Sequence, residues 1–393
     1  MGDDVVYNET RLFRPPLATI DQSDRTLFAQ CGVTDVDAVR EIVIQPGTGL
    51  VITARQGNLR SLYQSARHLV ETGYPRPLLL DANRYGGNCR VPAAAPFSRD
   101  WLSRQRDLGL LVLTDSGYVE DGDIVGLTRI LSRAAKLGDV VALLPLHLSW
   151  FTVPQARRTL LRLVRTFAAP VAIVIEHPRD PIGVRGTVDG LFELIECEVP
   201  VMLLRCDVSA LGALCCGAVA AAVGTRAALR HLYPRYRPSV RRRPSPPMPS
   251  VVVPRCLSYK RLSVVARTKR RHPGTDIWRC VCPTCDGSDL DWIFHRPEHV
   301  RERLAFQHSL GALIELRHEL TGPDLRQDRL SWRSRCASAA YWRREVGWES
   351  LAALDRWQEA IGSPPSDDLP SRQHRPGRTI PPQRGSGDRR AEG

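Results

Sequence analysis

The chain has 393 residues, of which 43% are hydrophobic, 25% charged and 6% aromatic, a globular composition long enough for one large domain with an appendage or for two domains. Lys and Arg number 55 against 42 Asp and Glu, a net charge of +13. No run of about eighteen uncharged apolar residues exists, which argues against a membrane span, and the first residues, with two early aspartates and no apolar core, do not read as a secretory signal.

Residues 1–38 read as an irregular lead-in. From 39 to 234, short apolar runs alternate with amphipathic stretches. The runs are Glu41–Gln45, Gly49–Ala54, Pro77–Asp81, Gly109–Asp115, Asp139–His147, Pro170–Glu176, Val199–Asp207 and Ala218–Gly224. Helical spacing is found in Asn58–Thr72, Asp123–Leu137, Val153–Phe167, Thr187–Cys197 and Ser209–Cys216. Near-continuous apolar strands alternating with helices imply a parallel sheet covered on both faces. About eight such units favour an α/β fold of the (β/α)8 TIM-barrel type over an open sheet.

The charge is concentrated beyond the last run. Between Arg235 and His272 lie twelve basic residues and no acidic one, leaving 43 of the 55 basic residues to face 42 acidic ones elsewhere. Residues 235–272 thus read as a basic, Pro- and Arg-rich linker, of which 256–271 could be a strand or helix with a basic face, holding Arg241, Arg242, Arg243, Lys269, Arg270 and Arg271. Such a density attracts phosphate backbones through counterion release, which makes these six residues candidate nucleic-acid contacts. Residues 273–361 read as a cysteine-bearing subdomain with two helices, Arg296–Leu320 and about Ala339–Ile361. The Pro-, Ser-, Arg- and Gly-rich stretch 362–393 is expected to be a disordered tail.

Eleven cysteines at irregular spacing fit a reduced, cytoplasmic chain better than a secreted disulfide scaffold. Three of them, Cys280, Cys282 and Cys285, form a C-x-C-x-x-C loop. That spacing turns three sulfurs toward one point, and a structural Zn2+ needs a fourth ligand. His295, His299, His308 and His318 all lie downstream. Closed by four protein ligands, such a site has no open position for chemistry. A second motif, Thr114-Asp115-Ser116-Gly117, ends a predicted strand. A carboxylate there lies on the catalytic face of a barrel.

Together these motifs, in this order, resemble the queuine and archaeosine tRNA-ribosyltransferases, the tRNA-guanine transglycosylases. Members of that family are (β/α)8 barrels with a C-terminal zinc subdomain of pattern C-x-C-x-x-C followed by His-x-Leu. The resemblance selects His308, in His308-Ser309-Leu310, as the fourth ligand. It also gives Asp115 an acid/base role at the exchanging base. It implies base exchange at ribose C1′, with guanine or a 7-deazaguanine as the base. The nucleic acid would be tRNA, or DNA as a variant substrate, and the chain could form a homo- or hetero-dimer.

The chain also departs from the pattern. Tyr118-Val119-Glu120 follows the Thr-Asp-Ser-Gly segment where the family has Gly-Phe-Gln. The family's second base-recognising aspartate is replaced by the segment holding His147 and Ser149. In the last run, Ala218–Arg226, an alanine takes the place of the nucleophilic aspartate. A covalent exchange needs two carboxylates on one face. Asp207 is the first choice for a relocated nucleophile, followed by Glu176. Asp81 and His147 are candidate base contacts, and Arg226 and Arg230, after the last strand, are candidate phosphate contacts. Arg84-Tyr85, after Asp81, could stack or bind phosphate, or only close its loop. Capping of a following helix accounts equally well for Asp115 and Asp207. Three functions therefore compete: a divergent transglycosylase, a non-catalytic family member that binds nucleic acid or an active partner, and a zinc nucleic-acid module fused to an unrelated α/β domain.

Overall fold

The structure, a computed structural model, describes residues 25–55, 58–235 and 249–362. Among these, eight parallel strands succeed one another: β1 (Thr26–Gly32), β2 (Thr48–Thr53), β3 (Leu78–Asp81), β4 (Val112–Leu113), β5 (Val140–Leu146), β6 (Val171–Ile175), β7 (Val201–Cys206) and β8 (Ala220–Gly224). Their order in the sheet is β3-β2-β1-β8-β7-β6-β5-β4, and β4 lies beside β3. The sheet therefore curls into a nearly closed TIM-like barrel. Around it run α1 (Val36–Arg40), α2 (Leu59–Glu71), α3 (Arg99–Asp107), α4 (Ile124–Leu137), α5 (Ser149–Thr152), α6 (Pro154–Phe167), α7 (Thr187–Ile195) and α8 (Ser209–Cys215).

The two-residue period of the strands sorts their side chains into two cores. Phe28, Val51, Leu79, Leu143, Val174 and Leu204 fill the barrel. Their neighbours, such as Ile52, Leu80, Leu144 and Leu203, pack outward against the helices. Side-chain caps hold two helices at the first residue of the predicted stretches. Asn58 accepts from Ser61 N at 3.2 Å ahead of α2, and Asp123 accepts from Gly126 N at 2.8 Å ahead of α4.

Three expectations are corrected. The first strand is Thr26–Gly32, inside the supposed lead-in. Glu41–Gln45 is a turn after α1, with Val43 buried and Ile44 half exposed. The β-branched run looked like a strand, whereas Gln30 and Arg25 disguised the real one. Second, Ser250–Val253, inside the stretch expected to be an extended linker, is strand β9; it pairs antiparallel with β10 (Ser258–Arg261), and α9 (Leu262–Arg271) follows. Third, the helix expected over Ala339–Ile361 is two helices, α11 (Leu325–Glu345) and α12 (Ala352–Ile361), separated at Gly347. A further helix, α10 (Glu298–Leu320), precedes them. The stretches 241–243 and 363–393 lie outside the described residues.

The C-terminal helices do not form a detached module. Leu313, Ile314, Leu320, Trp332 and Trp357 belong to the same buried cluster as the outer layer of the barrel. Gly212 of α8 exists for this contact, since a Cβ there would lie 2.5 Å from the Trp357 ring and 2.6 Å from Trp332 Nε1. Val251, Val253, Leu262, Trp278 and Leu290 form a separate small core around the three cysteines. No helix among the described residues is long and apolar enough to cross a membrane.

Candidate functional site

The cysteine loop and α10 bring four donors together. The ligand atoms of Cys280, Cys282, Cys285 and His308 lie within 4.8 Å of one another, and all four residues are buried. His308 Nδ1 is 3.6, 3.4 and 3.2 Å from the sulfurs of Cys280, Cys282 and Cys285. The loop is tightened by Asp286 N and Cys285 N donating to Cys282 O, and by Gly287 N donating to Cys280 O. Asp286 and Gly287 take left-handed φ values of 46° and 78° to close it. His308 Nε2 lies 2.7 Å from Val252 O, the backbone contact that orients a ligating imidazole. Trp292 Nε1 donates to Cys285 Sγ at 3.4 Å. Hydrogen bonds from the Cys280 and Cys285 thiols pull the Cys282 thiol below its ordinary range. Three soft sulfurs and one imidazole converging on a point form a site that could hold a metal ion. His295, His299 and His318 are not part of it.

The C-terminal end of the barrel is occupied by the chain itself. Asp81, fully buried, accepts from Tyr85 OH at 2.7 Å and from Gln30 Nε2 at 3.1 Å, with Arg205 Nη2 at 3.5 Å. Arg205 reaches the barrel interior through a register shift between β7 and β8, at a left-handed φ of 54°. There it stacks on Tyr85, donates to Asn83 Oδ1 at 2.7 Å, and its backbone N donates to Gln30 Oε1 at 2.8 Å. Glu176 pairs with Arg90, which also donates to Tyr233 O and lies 4.4 Å over the Tyr118 ring. Asp115 pairs with Arg84 and accepts from Ser98 N, at the start of α3, at 3.0 Å. Burial pushes the Asp115 carboxyl up, against the pull of Arg84.

Each residue of the Thr-Asp-Ser-Gly motif has a folding task here. Thr114 Oγ1 accepts from Leu143 N at 2.9 Å, replacing a ladder bond where β4 is short. Ser116 Oγ braces that hydroxyl at 2.8 Å. At Gly117 a Cβ would meet Pro92 O at 2.2 Å, so the position admits only glycine. Asp115 secures α3.

The remaining predicted residues are placed as follows. Asp207 accepts from Ser209 N at 3.1 Å and so holds the start of α8. Beside it, Asp180 accepts from Ser209 Oγ and Ile182 N, and burial with the Asp207 charge pushes its carboxyl up to about 8. Burial lowers His231 nearby, although Asp207 opposes the shift. His147 Nδ1 contacts Ser149 Oγ at 2.8 Å, and Ser149 Oγ donates to Asp121. Arg226 grips Asp35 with two hydrogen bonds and reaches Glu302 of α10 at 3.7 Å. Arg230 lies 3.2 Å over the Tyr259 ring. These two arginines join the barrel to the hairpin and α10. The inward positions of β8 include Ala220 and Ala222, which have no functional group. The void beside Arg205, between Leu204 and Arg230, is about 10 Å³, room for roughly one water.

Among the basic candidates, Lys269 is engaged by Asp289 and Asp291 at 2.8 and 2.6 Å. Arg270 and Arg271 are exposed. Sequence reasoning missed Arg90 and Arg205 as partners of the carboxylates. Arg205 did leave a signal, a lone charge in the apolar run Val201–Cys206. A scan against protein-family models finds no match to the chain, and a search of curated proteins finds none either.

Proposed function

We propose that this chain is a nucleic-acid-binding member of the tRNA-guanine transglycosylase type whose barrel does not exchange bases. The observation carrying this reading is the occupation of the mouth: Asp81, Asp115 and Glu176 each face an arginine of the same chain. A neighbouring guanidinium favours the ionised carboxylate and makes it a weaker nucleophile and base than a free one. Alanines on the inward face of β8 agree with this.

The nucleic acid, tRNA before DNA, is favoured by the exposed Arg261, Arg267, Arg270 and Arg271 along α9 and its start. The ion in the Cys280–Cys282–Cys285–His308 site is taken to be zinc in a structural role, because a Cys3His set is a closed tetrahedral site for that ion. No disulfide joins the cysteines among the described residues, in keeping with a reducing, cytoplasmic setting.

The test is incorporation of labelled guanine and of a labelled 7-deazaguanine into bulk tRNA and into DNA, alongside binding of the same polymers. Binding that weakens with salt, without incorporation, is the expected result. Incorporation abolished by Asp115→Asn or Asp207→Asn would overturn it. Loss in Asp115→Asn would point to Asp115, and loss in Asp207→Asn to Asp207, as the reacting carboxylate.

A further inference from the structure

The end of α11 carries a row of rings and guanidiniums that the barrel and the cysteine site do not use. Arg255, between β9 and β10, lies 5.8 Å over the Trp342 ring. Trp342 meets Tyr341 edge-on, with centroids 5.3 Å apart at 70°. Arg344 lies 5.9 Å over the Tyr341 ring. One step away, Lys260 lies 4.7 Å over Trp348.

Core packing accounts for Trp342, which borders the small core around the cysteines. It does not account for Tyr341, whose relative exposure is 47%. The exposed positions one and two turns earlier on the helix are Ser334, Ala337 and Ser338, small residues beside the ring. Arg255 and Arg344 form no ion pair among the described residues. A half-exposed aromatic ring flanked by unneutralised guanidiniums matches one kind of ligand well. A base stacks on the ring while its neighbouring phosphates meet the cations. Bases inside a duplex are already stacked on one another, so only an unpaired base can use the ring.

We propose that Arg255, Trp342, Tyr341 and Arg344 form a stacking platform for an unpaired nucleobase, with the two arginines taking the flanking phosphates. This rests on the reading of the chain as a nucleic-acid binder and adds that it selects single-stranded or looped segments.

Fluorescence anisotropy of the full chain with a labelled oligouridine and with a fully paired duplex tests it. Tyr341→Ala is expected to weaken oligouridine binding about tenfold and leave duplex binding unchanged, while Tyr341→Phe keeps both. Because Tyr341 lies at the surface, the variant retains the fold. Unchanged oligouridine binding in Tyr341→Ala, or equal loss on both ligands, overturns the platform and leaves the nucleic-acid reading intact. A wild-type chain that binds neither polymer overturns both.

Discussion

The barrel mouth and the cysteine lobe use their polar residues in opposite ways. In the mouth, Asp81, Asp115 and Glu176 are matched with Arg205, Arg84 and Arg90, and the hydroxyls and amides between them bond to one another. In the lobe, three thiols and an imidazole converge on one point, and arginines stand exposed along α9. A functional residue type whose bonding capacity is met inside the fold serves the fold. One left with capacity toward a common point or toward solvent is available to a ligand.

The sharpest break of this contrast comes from the lobe. Cys282→Ser should abolish metal content and unfold the small core around Trp278 and Leu290, since the binding energy of a structural ion, roughly 10 kcal/mol or more, is folding energy. Metal analysis and tryptophan fluorescence check it, and a folded lobe with unchanged metal would refute the site. In the mouth, Arg90→Leu strands Glu176, and the side chains of this pair are only 3% and 10% exposed. The expected loss is about 3–5 kcal/mol in denaturant unfolding. Adding Glu176→Leu should recover much of it, a result that a catalytic Glu176 does not require.

A pH effect comes next in size. The Asp180 carboxyl stands at about 8 in the folded chain against 3.8 ordinarily. A folded pKa above the unfolded one means that the folded state holds the proton longer. Stability is then full below about 4 and falls as pH rises toward about 8. The slope can approach about 1.4 kcal/mol per pH unit. Asp180→Asn should flatten the urea midpoint over that range, and an unaltered slope would exclude this carboxyl as the cause. The smallest effect is expected from Arg270→Gln with Arg271→Gln. Affinity for tRNA should fall severalfold, and the salt slope should decrease by at most about 1.8, the contribution of two phosphate contacts. An unchanged slope would make α9 a solvated face.

Much of the barrel was legible because its signal is local. Seven of the eight strands coincide with apolar runs, and Asn58 and Asp123 cap helices where the pattern places them. β1 was hidden because Gln30, a polar residue in the strand, faces the mouth, where it bonds to Asp81 and Arg205. α3 and the first part of α11 were missed because they are rich in arginine and polar residues, so their apolar stripe is thin. Thr114-Asp115-Ser116-Gly117 was recognisable as a motif, yet its atoms secure a short strand and a helix start.

By itself, the sequence determined the alternation of strands and helices, the place of the excess charge and the three-cysteine loop. Each of these is set by neighbours a few residues apart. Only the tertiary structure decided which charges remain available. Arg84 meets Asp115 across 31 positions, Arg90 meets Glu176 across 86, and Arg205 meets Asp81 across 124. Burial makes an unpaired charge costly, so the fold brings distant partners together, and no spacing along the chain foretells the pairing.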